Sequence, residues 1–182
     1  MKRSRINRAV REAEKAFAEH DWILPPDPRW DVTDFGLDDF ERWGLVLVNL
    51  SEQREYCEKI MYAQRGQTTP MHYHARKKED IICRWGKLAV RFETGVSEFK
   101  VPVNGVETPI PAAAPLILAA GERVTLAPEL NHEFWPETGY ALIGEVSTAN
   151  DDVADNFFTN RQVGRFSEIE KDEEPYVRLV SD

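Results

Sequence analysis

The chain has 182 residues, of which 42% are hydrophobic and 30% charged, a composition typical of a globular protein. Its length predicts a single domain over residues 1–182. Acidic residues outnumber basic ones by 32 to 23, so the formal net charge is −9. This charge argues against nucleic acid and anionic membrane surfaces as partners, because both need clustered Lys and Arg, and it favours a small neutral or cationic ligand.

Residues 1–43 are predicted to form an N-terminal helix and an extended wrap. Four apolar residues fall on one stripe of a helix over residues 3–19, at spacings of four, three and four: Ile6, Val10, Ala13 and Phe17. Three prolines between residues 25 and 28 and the acidic, aromatic stretch 30–43 follow. They favour an extended wrap over a core rather than a long helix.

Residues 44–147 are predicted to form the core of an all-β barrel or sandwich. Short apolar runs are separated by turn residues, and glycine at these breaks tolerates positive φ. The predicted strands are Leu45–Leu50, Cys57–Gln64, Glu79–Arg84, Lys87–Glu93, Leu116–Leu118, Arg123–Leu126, His132–Trp135 and Tyr140–Ser147. The proline-rich piece 102–115 is expected to be a hairpin excursion or a loop, because proline is excluded from central strand positions. The polar segment 148–182 is predicted to lie back across the barrel.

Four side chains indicate a divalent metal site. His72 and His74 face the same way in an extended strand, about 7 Å apart at about 3.3 Å per residue, so both imidazoles can converge on one ion. A turn through residues 75–78 is expected to bring the next strand alongside and return the Glu79 carboxylate, while His132 arrives from a separate strand across the barrel. Three imidazoles and one carboxylate leave two positions of an octahedron open for adjacent substrate oxygens.

The run from Gly66 to Gly86, GQTTPMHYHARKKEDIICRWG, resembles the first motif of the cupin superfamily in its spacing throughout. The second cupin motif is matched more loosely by Gly121, Pro128 and His132, because the stretch between Pro128 and His132 is one residue shorter than usual and lacks its internal glycine. The resemblance implies a cupin-type β-barrel, a double-stranded β-helix or jelly roll, with the N-terminal helix and C-terminal segment packed on it.

Within the cupins, the chain resembles the D-lyxose isomerase family over roughly residues 5–175. The similarity lies in the pattern HxHxxKxEDI from His72, the stretch GEVSTANDD over 144–152 and the piece DNFF over 155–158. It implies a manganese-dependent aldose–ketose isomerase that interconverts D-lyxose and D-xylulose, and often D-mannose and D-fructose. The ligand types also suit Fe(II), Co(II) or Ni(II).

The candidate catalytic residues follow from what isomerisation requires. A base must take the C2 proton and return it to C1, and Glu145, at the end of an apolar strand, is the candidate base. Lys77 matches the lysine of the family pattern and is expected to protonate or hold a sugar oxygen. Asp155 and Arg161 are candidate substrate-binding residues, as hydrogen-bond partners of sugar hydroxyls.

Other functions remain open on the sequence alone. A phosphosugar isomerase could use Arg76, Lys77 and Lys78 as a phosphate anchor, and three histidines with a glutamate also suit a metal-dependent oxygenase. A non-enzymatic sugar-binding cupin is a third alternative. Cys57 and Cys83 stand in no CxxC pair, and no stretch has the length of a membrane span, so a cytoplasmic protein with reduced thiols is expected. A homodimer is expected by analogy with similar barrels.

Overall fold

The predicted N-terminal helix is present in the computed structural model, which describes residues 1–111, 114–151, 154–164 and 168–182. Helix α1 spans Arg3–Glu19, and all four residues of the predicted stripe are almost completely buried. The wrap contains a short strand, β1 (Arg29–Thr33), and a one-turn helix, α2 (Phe40–Trp43), whose N-terminus is capped by the Asp39 side chain. The wrap is therefore extended, as predicted, but part of it joins a sheet.

The rest of the described chain consists mainly of antiparallel strands. They are β2 (Leu45–Glu52), β3 (Tyr56–Gln64), β4 (His72–Tyr73), β5 (Glu79–Trp85), β6 (Lys87–Glu93), β7 (Glu98–Val103), β8 (Val106–Pro111), β9 (Leu116–Ala119), β10 (Arg123–Leu126), β11 (Asn131–Pro136), β12 (Tyr140–Thr148) and β13 (Phe157–Phe158). Each of the eight predicted runs corresponds to one of these strands. The predicted all-β, cupin-type barrel with an N-terminal helix is confirmed.

Two sheets face each other. The larger sheet has the order β1-β2-β3-β12-β5-β10-β7-β8, and the smaller sheet has the order β13-β4-β11-β6-β9. An inner core fills the space between the sheets, with Met61 and Ile81 from the larger sheet and Phe134 from the smaller one. An outer core lies between α1 and the other face of the larger sheet, with Phe17 against Trp30, Ile60 and Leu142. Strands β3 and β12 thus bury both faces, which explains their nearly continuous apolar sequences.

The proline-rich piece forms a hairpin. Strands β7 and β8 are joined at Asn104 and Gly105, which both have positive φ, as a two-residue hairpin turn requires. Strand β8 lies at the edge of the larger sheet, where proline removes no central ladder hydrogen bond. Residues 112 and 113 of the predicted excursion lie outside the described residues.

The C-terminal segment contacts both the barrel and the helix. Strand β13 pairs with β4 at the edge of the smaller sheet. Further along, the chain returns to α1, where Asn7 donates to the Glu174 carbonyl at 2.8 Å and Arg3 pairs with Asp182 at 2.5 Å. The prediction that this segment lies across the barrel is therefore correct for β13, whereas the stretch after residue 168 packs against the helix.

In the part of the chain that the structure describes, no helix is both long and apolar enough to cross a membrane.

Candidate active site

Three histidines converge between the two sheets. His72 in β4 and His132 in β11 are direct partners across an antiparallel pair, and their ring centroids are 4.3 Å apart. His74 follows β4, and ligand atoms of all three imidazoles lie within 4.8 Å of one another. The expectation that His132 comes from across the barrel is wrong, because β11 is hydrogen-bonded to β4 in the smaller sheet.

Glu79 is the group that reaches the site from the opposite side. The chain turns after His74 and crosses to the larger sheet, where Glu79 is the first residue of β5. Its Oε1 lies 3.1 Å from Nε2 of His132 and 3.6 Å from Nε2 of His74. The expectation that β5 would lie alongside β4 is also wrong. Spacing along a strand indicates which face a side chain occupies, but it does not identify the neighbouring strand.

Backbone carbonyls fix the orientation of all three rings. Nδ1 of His72 lies 2.8 Å from the Pro70 carbonyl, Nδ1 of His132 lies 2.9 Å from the Leu130 carbonyl, and Nδ1 of His74 lies 2.5 Å from the carbonyl of Asp155. A carbonyl can only accept, so each Nδ1 carries the proton and donates it. Each Nε2 is left with a lone pair, the form in which imidazole binds a metal.

The charge states and unsatisfied atoms of this cluster fit a divalent metal. Burial lowers the pKa of His72 well below its usual value and lowers that of His74, so both rings are neutral. Burial alone would raise the pKa of the Glu79 carboxyl, but the Lys77 ammonium outweighs it and holds that pKa well below its usual range. Glu79 Oε1 and His132 Nε2 are buried, and neither makes a hydrogen bond with a described group. A divalent ion bound by the three imidazoles and Glu79 would satisfy both atoms.

A buried network of ammonium and carboxylate groups adjoins the histidines. Nζ of Lys77 lies 2.8 Å from Oε2 of Glu79 and donates to Oε1 of Glu145 at 3.0 Å. Burial would lower the pKa of Lys77, but Glu145 and Glu79 outweigh it and raise that pKa, so Lys77 is a permanent ammonium. Lys59 stands opposite Glu145 in the β3–β12 pair, and its Nζ lies 3.6 Å from Oε1 of Glu145.

These groups line one cavity of about 330 Å³ between the sheets. The three histidines, Glu79, Lys77, Lys59 and Glu145 line its polar part. Apolar walls come from the inner core, including Leu47, Met61, Ile81 and Phe134. A cavity that combines apolar walls with converging polar groups is typical of a site for a small polar molecule.

Asp155 and Arg161 are not among the residues that line the cavity. Both carboxylate oxygens of Asp155 accept from backbone N–H groups of the 75–77 turn, including Lys77 N at 2.9 Å. The Arg161 side chain is exposed. The structure therefore brings together six of the predicted site residues: His72, His74, His132, Glu79, Lys77 and Glu145. Asp155 lies beneath the turn that carries Lys77 and not at the cavity wall.

Lys59 and Asn156 are among the cavity-lining residues that are absent from the sequence-based set. Lys59 lies in the apolar run 57–63 with the same parity as Met61, so strand alternation already places it on the inner face. Asn156, next to Asp155, lines the cavity, and its Oδ1 is buried without a hydrogen-bond partner among the described residues. No signal in the sequence distinguishes Asn156 from its neighbour.

Solved structures with a similar fold include L-ribose isomerases. The enzyme from Acinetobacter sp. DL28 in complex with L-ribose superposes with a TM-score of 0.71 at 16% identity, covering 93% of this chain and 98% of that one. The enzyme from Cellulomonas parahominis with L-ribose gives a TM-score of 0.66 at 17% identity, covering 88% and 95%. Similarity at this level of identity supports the cupin-like fold.

Sequence comparison identifies the family. The D-lyxose isomerase family model matches residues 27–182. The D-lyxose/D-mannose isomerase of Serratia proteamaculans is 38% identical, with all of both chains covered, and that of Escherichia coli O157:H7 is 35% identical, covering 100% of this chain and 98% of the relative. With its cupin-type barrel and its buried histidine cluster, the chain belongs to the D-lyxose isomerase family and is a sugar isomerase.

Proposed function

We propose that this isomerase interconverts D-lyxose and D-xylulose, and also D-mannose and D-fructose, with a divalent metal, Mn(II) first among the candidates. The observation that carries the proposal is the juxtaposition of three imidazole nitrogens, placed so that they could hold a metal, with the Glu145–Lys77 pair in one cavity. Relatives that cover the whole chain are named for D-lyxose and D-mannose.

The proposed metal ligands are His72, His74, Glu79 and His132. The unsatisfied Glu79 and His132 atoms and the neutral rings support this set. When bound, a divalent ion would act as a Lewis acid that stabilises the negative charge developing on O1 and O2 of the sugar. Fe(II), Co(II) and Ni(II) suit the same donor atoms.

Glu145 is the proposed base. It would take the proton from C2 and return it to C1 on the same face of the sugar. The Lys77 ammonium donates to Glu145 and is also 2.8 Å from Glu79, which fixes the base beside the ligand cluster. Because the pKa of Lys77 is raised, its proposed role is to donate a hydrogen bond to a sugar oxygen rather than to release its proton.

Two further contacts to the sugar are proposed. Lys59 faces Glu145 from the neighbouring strand and also donates to Asn150 Oδ1 at 3.1 Å, so its ammonium is held at the cavity wall. Asn156 offers its amide oxygen to a sugar hydroxyl, because that atom has no hydrogen-bond partner among the described residues. Asn156 takes the place that Asp155 held in the sequence-based set.

A phosphosugar is a weaker candidate substrate. Of the three cations that could anchor a phosphate, Arg76 is largely exposed and pairs with Asp151, and Lys78 is exposed. Only Lys77 lines the cavity, and two carboxylates already surround it. A phosphate group would have to compete with Glu79 and Glu145 for its hydrogen bonds.

The test is a substrate panel. Pentoses, hexoses and their phosphates are incubated with the purified protein and Mn(II), and in parallel after thorough chelation. We expect D-lyxose and D-mannose to be isomerised only with metal. Turnover that persists without metal would end the metal mechanism, and oxygen uptake without an isomer would favour an oxygenase.

Three further expectations, on domain number, oligomeric state and cellular location, remain predictions. We propose one domain, because α1, the larger sheet and the C-terminal Leu179 share the outer core. We also expect a homodimer and a cytoplasmic location. Light scattering after size-exclusion chromatography and cell fractionation would test these two.

A further inference from the structure

Part of the cavity wall comes from two segments at the margins of the barrel. Phe35 follows β1, and Phe158 and Gly164 belong to the C-terminal segment, and all three line the cavity. The two segments are joined by a hydrogen bond of 2.9 Å from Gly164 N to the Phe35 carbonyl. Gly36 lies directly against Gly164, because a Cβ at position 36 would be 3.0 Å from Gly164 Cα.

Phe35 has an unfavourable backbone conformation that local hydrogen bonds maintain. Its φ is +55°, a conformation that costs a non-glycine residue about 1–2 kcal/mol. Its N–H donates to Thr33 Oγ1 at 2.8 Å, and Gly36 N donates to Asp34 Oδ1 at 3.1 Å. Backbone strain that the surroundings enforce is concentrated at functional sites. Here it directs the phenyl ring to the cavity wall.

The ring of Phe35 is separated from the histidines by one other ring. Phe158 pairs with His72 across β13 and β4, and its ring centroid is 5.5 Å from that of His72. The Phe35 ring meets Phe158 edge to face at 5.9 Å. The series His72, Phe158, Phe35 therefore leads along the cavity wall away from the histidines.

We propose that Phe35 is a specificity-determining residue that limits the length of the sugar. This inference rests on the proposed function, in which C1 and C2 of the sugar are held beside the proposed metal-binding residues and Glu145. The rest of the sugar then extends away from the histidines, between barrel walls that are fixed by strand pairing. A hexose carries one more carbon and hydroxyl than a pentose, and the Phe35 ring borders the space into which that group would extend, so a hexose is accepted but fits less well.

The test compares two substrates in variants that remove the ring. Phe35→Ala and Phe35→Gly are assayed with D-lyxose and D-mannose, and the measured quantity is the ratio of kcat/KM for D-mannose to that for D-lyxose. Glycine adopts positive φ without strain, so the second variant deletes the ring while relieving the backbone. We expect the ratio to rise by about ten-fold or more in both, since one extra group in a fitted pocket changes kcat/KM by this order.

Phe157→Ala is the matched control. Phe157 is the neighbour of Phe158 but points away from the cavity, is 41% exposed and stacks on Tyr73 at 5.1 Å. Its substitution is expected to leave the ratio unchanged. A ratio that stays constant in folded Phe35 variants, or that changes equally in Phe157→Ala, would overturn the inference and leave the isomerase proposal intact. A wild-type protein inactive on both sugars would instead contradict the proposed function itself.

Discussion

The two faces of the larger sheet are built from the same strands but differ in chemistry. On the outer face, Ile60 of β3 and Leu142 of β12 pack under α1 in an apolar core. On the inner face, Lys59 and Glu145 of the same strands are buried as a charged pair beside the cavity. Alternation along one strand therefore separates residues that stabilise the fold from residues that are proposed to act on the sugar. Buried charges are costly, so their presence on one face only indicates that function maintains them.

The largest effect is expected from Glu145→Gln on the inner face. The amide keeps the size of the side chain and can still accept from Lys77, but it cannot take a proton. We expect kcat for D-lyxose to fall by about a thousand-fold, within the range of general base catalysis. Metal content by mass spectrometry and the thermal midpoint should remain those of the wild type.

If Glu145→Gln lost metal or stability together with activity, Glu145 would be a structural residue. The functional difference between the two faces would then not hold. Lys59→Gln serves as a comparison in the same pair. It leaves the base in place, so a smaller fall in kcat is expected.

The opposite result is expected from Phe17→Ala on the outer face. Phe17 is 1% exposed and stacks on Trp30, so the change removes a phenyl ring from a packed core. We expect the free energy of unfolding to fall by about 3–5 kcal/mol. At a temperature where the variant is folded, kcat should be unchanged.

Ile23→Ala is the control for this substitution, because Ile23 is 93% exposed. Its effect on urea unfolding should lie within about 0.5 kcal/mol. A fall in kcat of folded Phe17→Ala would show that the outer core also controls the site.

A smaller effect is expected from Asp155→Asn, which tests a residue outside the larger sheet that supports the inner site. Asp155 holds the backbone of the Lys77 turn and, through its carbonyl, the ring of His74. Weakening the turn should lower metal affinity and kcat/KM together, by about ten-fold, as is usual for groups that orient metal ligands. Metal titration and steady-state kinetics measure both.

The control is Asp151→Asn, which removes the charge of an exposed neighbour in the same segment. If Asp155→Asn raised KM and left metal affinity unchanged, Asp155 would be a substrate contact after all. That result would restore the role that its charge suggested in the sequence.

Local patterns predicted much of this molecule, and non-local pairing explains what they missed. The helix stripe and the strand runs depend on the spacing of near neighbours, so α1 and eight strands could be placed from the sequence. The positions of His132 and Glu79 depend on which strands pair. The spacing of residues along the sequence does not determine the order of strands in the two sheets. Lys59 was missed because a lysine in a strand is usually solvated, although its parity with Met61 indicated the inner face.

The direct pairing of His72 with His132 has an evolutionary consequence. The residues on either side of His132 are Asn131 and Glu133. A slip of β11 by one residue against β4, in either direction, would turn one of these side chains inward in place of the imidazole. The nitrogen donor would become an oxygen donor, which favours harder cations. A single-residue insertion or deletion near this strand would thus change the metal preference of such a barrel without a substitution at any metal-binding residue.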